Sequence, residues 1–131
     1  MHRKKILVID DEPAVHRLLQ IILEVEGFDI VGMEGDEGSG SVVSRSKPDL
    51  IILDIRMPEV NGLEVLRMLK TDEDTRNIPV IILTASNHHD DREMARRLGA
   101  ERYLTKPFQP AELLKAVRAA SATRDASHCS G

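Results

Sequence analysis

Apolar positions along the chain alternate between two kinds of run. Five runs are short, and all but the last carry β-branched residues: Ile6–Ile9, Phe28–Met33, Leu50–Leu53, Val80–Leu83 and Arg102–Leu104. The third and fourth, "LIIL" and "VIIL", have no polar alternation, as expected of parallel strands buried on both faces. Between these runs, apolar residues recur at helical spacing. Ala14, Val15, Leu18, Leu19, Ile22 and Val25 share one face of a first helix, with Pro13 suited to its first turn and Gly27 to its stop. Leu63, Leu66 and Leu69 mark another helix, and Met94, Ala95 and Leu98 before Gly99 a fourth. Pro110 opens a last one carrying Leu113, Leu114 and Val117. The second helix is the weakest. "GDEGSGSVVSRS" at 35–46 holds three glycines and four serines where good helix formers belong, so we expect it short, mobile and starting between Gly38 and Ser41. Strand–helix repeated five times indicates an α/β sheet covered by helices on both faces through right-handed crossovers. The elements end near Ser121, giving a domain over 1–120 and a flexible tail or linker stump over 121–131.

Composition narrows the function. A chain of 131 residues makes one domain with one sound core. Its net charge of −4 gives no basic excess to attract nucleic acid, and its only aromatics, Phe28, Tyr103 and Phe108, make no base-stacking surface. No apolar stretch approaches membrane length, and the run after His2-Arg3-Lys4-Lys5 is too short for a signal peptide. The single cysteine, Cys129, cannot form an internal disulfide, which fits a reducing cytoplasm.

The chemistry gathers at the ends of the strands. "KKILVIDDEP" drives an apolar strand into three consecutive acids, Asp10, Asp11 and Glu12. Strand three ends in Asp54, strand four in Thr84, and strand five in Thr105-Lys106. In an open parallel sheet, ligands bind outside these carboxyl ends, so three carboxylates, a hydroxyl and an amine would converge there. Any one of them alone would be an ordinary turn residue; the set is not. Carboxylates held that close repel one another unless cations join them. Lys106 supplies one positive charge, and a hard divalent ion taking oxygen ligands, Mg²⁺ above all, would supply the rest. Zinc has no cysteine pair here, and His88-His89-Asp90-Asp91 reads as a helix start with acids at its positive end.

"VIDDEP", "LIILDIRMPEVNGLEVL", "IPVIILTAS" and "GAERYLTKPFQPAELL" together resemble the receiver domain of two-component response regulators, over roughly residues 4–120. The resemblance implies a flavodoxin-like (βα)5 three-layer sandwich whose five-stranded parallel sheet runs in the order 2-1-3-4-5, as in chemotaxis receivers. It implies that Asp54 accepts a phosphoryl group from a phosphohistidine on a sensor histidine kinase or phosphotransfer protein. It further implies Mg²⁺, replaceable by Mn²⁺, held by Asp11, by Asp54, by Asp10 through water and by the backbone carbonyl of Arg56. Lys106 and the metal would neutralise the transferring oxygens, and Thr84 would bond one of them. Thr84 and Tyr103 match the family's switch pair, Met57-Pro58 and Gly62 shape the loop after the acceptor, and the Lys106–Pro107 bond is cis in the family. Glu12 is left as a surface acid. Arg56 and Ser86, two residues past the acceptor and the threonine, are expected to flank the path of attacking water, with the arginine slowing hydrolysis. The switched surface would be the fourth helix, fifth strand and fifth helix, where Arg96, Arg97 and Arg102 would meet an acidic effector or a second copy of the chain.

Other readings of such a sheet fit less well. An FMN carrier needs a hydroxyl- and glycine-rich loop after strand one, where "DDEP" would repel phosphate. Neither a P-loop nor a dinucleotide fingerprint is present. An aspartyl-phosphate hydrolase would want its nucleophile and a second acid two residues later on strand one, plus a cap domain. A degenerate receiver that only docks partners is the main alternative, but it should lack Asp54 or Lys106, and both are here. The expected role is therefore that of a signalling phosphoacceptor, not an enzyme acting on a separate substrate. The ten residues after Ser121 hold no effector domain, so such a receiver either works by docking or belongs to a longer chain.

Overall fold

The five apolar runs form one parallel sheet in the computed structural model, which describes residues 4–33, 43, 45–58 and 60–130, with the backbone alone at 33 and from 123 onward. Its strands are β1 (Lys5–Ile9), β2 (Asp29–Met33), β3 (Leu50–Leu53), β4 (Val80–Thr84) and β5 (Arg102–Thr105). They lie side by side in the expected order 2-1-3-4-5. Ile9 pairs with Leu53, and Leu53 with Ile82, so the strand ends stand in line. The helices are α1 (Pro13–Val25), a short α2 seen at positions 43, 45 and 46, α3 (Gly62–Thr71), α4 (His89–Leu98) and α5 (Pro110–Ser130). The expected start of α2, between Gly38 and Ser41, lies outside the described residues. A two-residue antiparallel pair, Arg56–Met57 with Val60–Asn61, shapes the loop between β3 and α3.

The uninterrupted strands conceal a period of two. Leu7, Ile9, Ile51, Leu53, Val80 and Ile82 face one core with Val43 of α2, Val65, Leu66 and Leu69 of α3, and Ala95 of α4. Their neighbours Ile6, Val8, Leu50, Ile52, Ile81 and Leu83 face a second core under α1 and α5, against Leu19, Leu23, Leu113 and Val117. Each such fully buried aliphatic side chain contributes about 1.5–3 kcal/mol. Ala116 and Ala120, at 5% and 2% exposure, are small enough to bring α5 close to the sheet.

Three expectations need correction. Leu18 and Val25 are on the open side of α1, 45% and 81% exposed, because the helix meets the sheet along Val15, Leu19, Ile22 and Leu23. Met94 is likewise turned out on α4, which seats the small Ala95 instead. The last helix does not end near Ser121: α5 runs to Ser130, since no glycine or proline interrupts the chain between Ala111 and Ser130. At the other expected stop the sequence signal holds. Gly99 adopts the left-handed conformation, φ 105°, that closes α4.

Candidate functional site

Strand ends and loop turns bring the acidic residues together. Asp10 and Asp54 follow directly on the paired residues Ile9 and Leu53, and the Asp54 N–H donates to the Ile9 carbonyl at 3.0 Å. Both aspartates are buried, at 2% and 3% exposure. Each turns its carboxylate onto the loop that follows it. Asp10 Oδ1 accepts from the Glu12 N–H at 2.9 Å, and Asp54 Oδ1 accepts from the Arg56 N–H at 2.8 Å. The other oxygen of each accepts from Lys106 Nζ, at 2.9 Å and 3.1 Å. The Lys106 backbone is fixed by its N–H, which donates to the Thr84 carbonyl at 2.8 Å; its peptide bond to Pro107 is cis.

The surrounding backbone is tightly built. A Cβ on Gly62 would stand 2.3 Å from the Ile55 Cα and 2.6 Å from the Asp54 carbonyl oxygen, so only glycine lets α3 begin under the loop that follows Asp54. Asn61 caps that helix, its side chain accepting from the Leu63 N–H at 3.1 Å. On the other side, the His16 ring shares a 2.5 Å hydrogen bond with the Asp10 carbonyl through Nε2. The same ring occupies the space beside Gly32, where a Cβ would come within 2.6 Å of its Nδ1.

Charge in this pocket is out of balance. Carboxylate oxygens of Asp10, Asp11, Glu12 and Asp54 lie within 4.8 Å of one another, an all-oxygen donor set that could hold a hard cation. Burial raises the Asp10 carboxyl above the usual aspartate range, and the charge of Asp54 adds to this; hydrogen bonds from Glu12 and Lys106 oppose it without prevailing. Burial also pulls on the Lys106 ammonium, but its hydrogen bonds to Asp10, Glu12 and Asp54 win and hold it well above the ordinary lysine value. Glu12, read from sequence as a surface acid apart from the site, is indeed exposed. It nevertheless binds Lys106 at 3.0 Å and belongs to the cluster.

Beyond Asp54 the edge of the sheet changes character. Thr84 is fully buried at the end of β4, and its Oγ1 accepts from the Ser86 N–H at 3.4 Å. The Tyr103 hydroxyl donates to the Ser86 carbonyl at 2.8 Å, and the Arg92 guanidinium lies 4.9 Å from the centre of the tyrosine ring. Burial holds the Tyr103 hydroxyl above its usual range. Ser86 Oγ donates to Asp91 Oδ2 at 2.6 Å, and the same oxygen receives the Arg56 guanidinium. The Ser86 bond, more than Arg56, keeps the Asp91 carboxyl below its ordinary value despite burial. Sequence reasoning treated Asp91 only as an acid in the first turn of α4. Its place opposite Arg56 depends on how two loops approach, which no spacing records.

Residues 6–118 match the model of the response regulator receiver domain. The chain belongs to that family. It is 39% identical over 116 residues to the phosphate regulon transcriptional regulatory protein PhoB of Pseudomonas aeruginosa, covering 88% of this chain and 51% of that protein. It is 43% identical over 116 residues to the DNA-binding dual master transcriptional regulator RpaA of Synechocystis, covering 88% of this chain and 48% of the regulator. The receiver therefore spans about half the length of the curated relatives it matches. Among solved structures it resembles the BeF3-activated N-terminal receiver domain of RstA from Klebsiella pneumoniae, with a TM-score of 0.82, 29% identity, and 90% and 98% of the two chains covered. Five of the positions singled out from sequence, Asp10, Asp11, Asp54, Thr84 and Lys106, lie along one edge of this receiver's sheet. Among the described residues, no helix is long and apolar enough to cross a membrane.

Proposed function

We propose that this receiver takes a phosphoryl group onto Asp54 from the phosphohistidine of a sensor kinase or phosphotransfer protein. The observation that carries the reading is the convergence of Lys106 Nζ on Asp10 and Asp54, at 2.9 Å and 3.1 Å, inside a cluster of four carboxylates. An Asp54 oxygen would attack phosphorus while the nitrogen–phosphorus bond to the donor imidazole breaks. Lys106, already on Asp54, would compensate charge on the transferring oxygens, and the Thr84 hydroxyl would bond one of them. The donor set suits Mg²⁺ or Mn²⁺, which Asp11, Asp54, the Arg56 carbonyl and, through water, Asp10 would hold; such an ion neutralises phosphoryl oxygens when bound. The chemistry is the receiver's own phosphorylation and slow dephosphorylation, in the cytoplasm.

The proposed output runs through Thr84 and Tyr103 to the face of α4, β5 and α5. Tyr103 already bonds the loop that leaves Thr84, so phosphorylation has a contact to strengthen or release. Arg92, Arg96 and Arg102 line a cleft of about 320 Å³ beside Tyr103 on this face, suited to an acidic effector or a second copy. This face, not nucleic acid or membrane, is the partner surface.

Incubation with a small phosphodonor and Mg²⁺ tests the central step. Label should enter the parent at one acid-stable, hydroxylamine-sensitive position and vanish in Asp54→Asn, which keeps the shape but not the nucleophile. Equal labelling of that variant would reassign the acceptor.

A further inference from the structure

Two loops that border the site are joined through side chains. Arg56 leaves the β3–α3 loop, where its own N–H is 2.8 Å from Asp54 Oδ1, and crosses to Asp91 in the first turn of α4. Asp91 is the shared acceptor of this bridge, taking the Arg56 guanidinium and the Ser86 hydroxyl, at 2.6 Å, on the single atom Oδ2. Ser86 in turn offers its carbonyl to Tyr103. The arginine is thus held by one carboxylate oxygen while the residue two positions before it is the phosphoacceptor.

We propose that Asp91 and the phosphoryl group on Asp54 compete for Arg56, so that Asp91 is a positioning residue that sets how firmly the site holds its phosphoryl group. The inference rests on Asp54 being the acceptor. Phosphorylation brings about −1.5 to −2 charges and three acceptor oxygens to Asp54, whose Oδ1 already accepts from the Arg56 N–H. A planar guanidinium prefers such a group, which it can bind through two parallel hydrogen bonds, to one shared carboxylate oxygen. Arg56 is half exposed, with 54% of its side chain accessible, so turning from one anion to the other needs no repacking of the core. Its departure would leave Asp91 and Ser86 bonded to each other but release α4 from the acceptor loop. The tie to Asp91 thereby opposes the phosphorylated state, and its loss transmits that state to the helix bearing Arg92 and Arg96.

Beryllofluoride with Mg²⁺, a stable phosphoryl mimic, measures the competition by titration calorimetry. Asp91→Asn removes the charge but leaves an amide oxygen to accept from Ser86. It should bind the mimic more tightly than the parent, by about 1.4- to 5-fold for a partly exposed ion pair. In an Arg56→Ala background, the same substitution should leave affinity unchanged, because nothing remains to compete for. Raising salt should shrink the gain of Asp91→Asn over the parent. An equal effect of Asp91→Asn in both backgrounds, as a purely structural role would give, overturns the inference, as does weaker binding. Arg56→Gln provides a second background should Arg56→Ala fold poorly. Failure of the parent to bind the mimic at all would remove the reading of Asp54 and this inference with it; binding without coupling removes the inference alone.

Discussion

The two halves of the functional edge solve opposite problems. At the ends of β1 and β3, four carboxylates face one ammonium, and the fold holds them together although they repel. At the ends of β4 and β5, Thr84, Ser86, Asp91, Arg92 and Tyr103 join with Arg56 from the β3–α3 loop in a connected set, in which opposite charges meet and the Ser86 and Tyr103 hydroxyls find acceptors. The first half is short of positive charge, and on the function proposed above a cation and a phosphoryl group would complete it. The second already has Arg56 and Asp91 paired and its tyrosine bonded, so it would respond by rearranging. On that reading one region would capture the ligand and the other report its arrival, and the two adjoin where β3 pairs with β4.

The comparison can be broken most forcefully through the backbone. Gly62→Ala would push a methyl group against Ile55 and the Asp54 carbonyl, where no flexible side chain can yield. It should cost about 1–3 kcal/mol in urea unfolding and, by displacing the acceptor loop, weaken metal response and labelling together. A stable Gly62→Ala protein with normal labelling would show that the acidic half tolerates a looser frame than its contacts suggest.

Asp10→Asn should act in the other direction. Because the folded state raises the Asp10 carboxyl above its unfolded value of 3.8, the ionised form opposes folding at neutral pH. Its neutralisation should therefore stabilise the metal-free protein, by about 0.5–2 kcal/mol as such charge relief usually does. Mg²⁺ should raise the melting temperature of the parent by binding only the native state, Asp10→Asn should lose part of that rise, and Asp11→Ala should lose more. If all three respond alike, the acids at the end of β1 are only a turn.

The smallest effect belongs to the second half. Tyr103→Phe removes one hydrogen bond to Ser86 and should cost about 0.5–1.5 kcal/mol. The response to Mg²⁺ should not change, since the lost bond goes to Ser86, outside the carboxylate cluster. Loss of metal response in this variant would mean that the two halves are one network.

These contrasts also explain what the sequence made visible. The sheet and the positions of Asp10, Asp54, Thr84 and Lys106 follow from strand ends, which are local marks on the chain; the strand order follows only from the resemblance to receiver domains. The apolar stripe of α1 was harder. Leu18, Leu19 and Ile22 satisfy helical spacing equally, and only the direction of approach to the sheet selects Leu19 and Leu23 for the core. The extension of α5 to Ser130 was missed because alanine and serine carry little periodicity. Glu12 and Asp91 were underrated for a different reason. Each acts through a partner far along the chain, Lys106 and Arg56, and such pairings depend on loop geometry.

The apolar character of β3 on both faces has one more consequence. Where a strand alternates, a slip of one residue exposes its oily side and is penalised at once; Leu50–Leu53 would bury hydrocarbon equally well in either register. What a slip cannot satisfy is the end of the strand. Shifted by one, Asp54 would no longer follow the partner of Ile9, and its carboxylate would miss the Lys106 ammonium and the Arg56 N–H. Asp54, one residue past Leu53, thus makes its contacts only in the register that the hydrocarbon of β3 alone does not select.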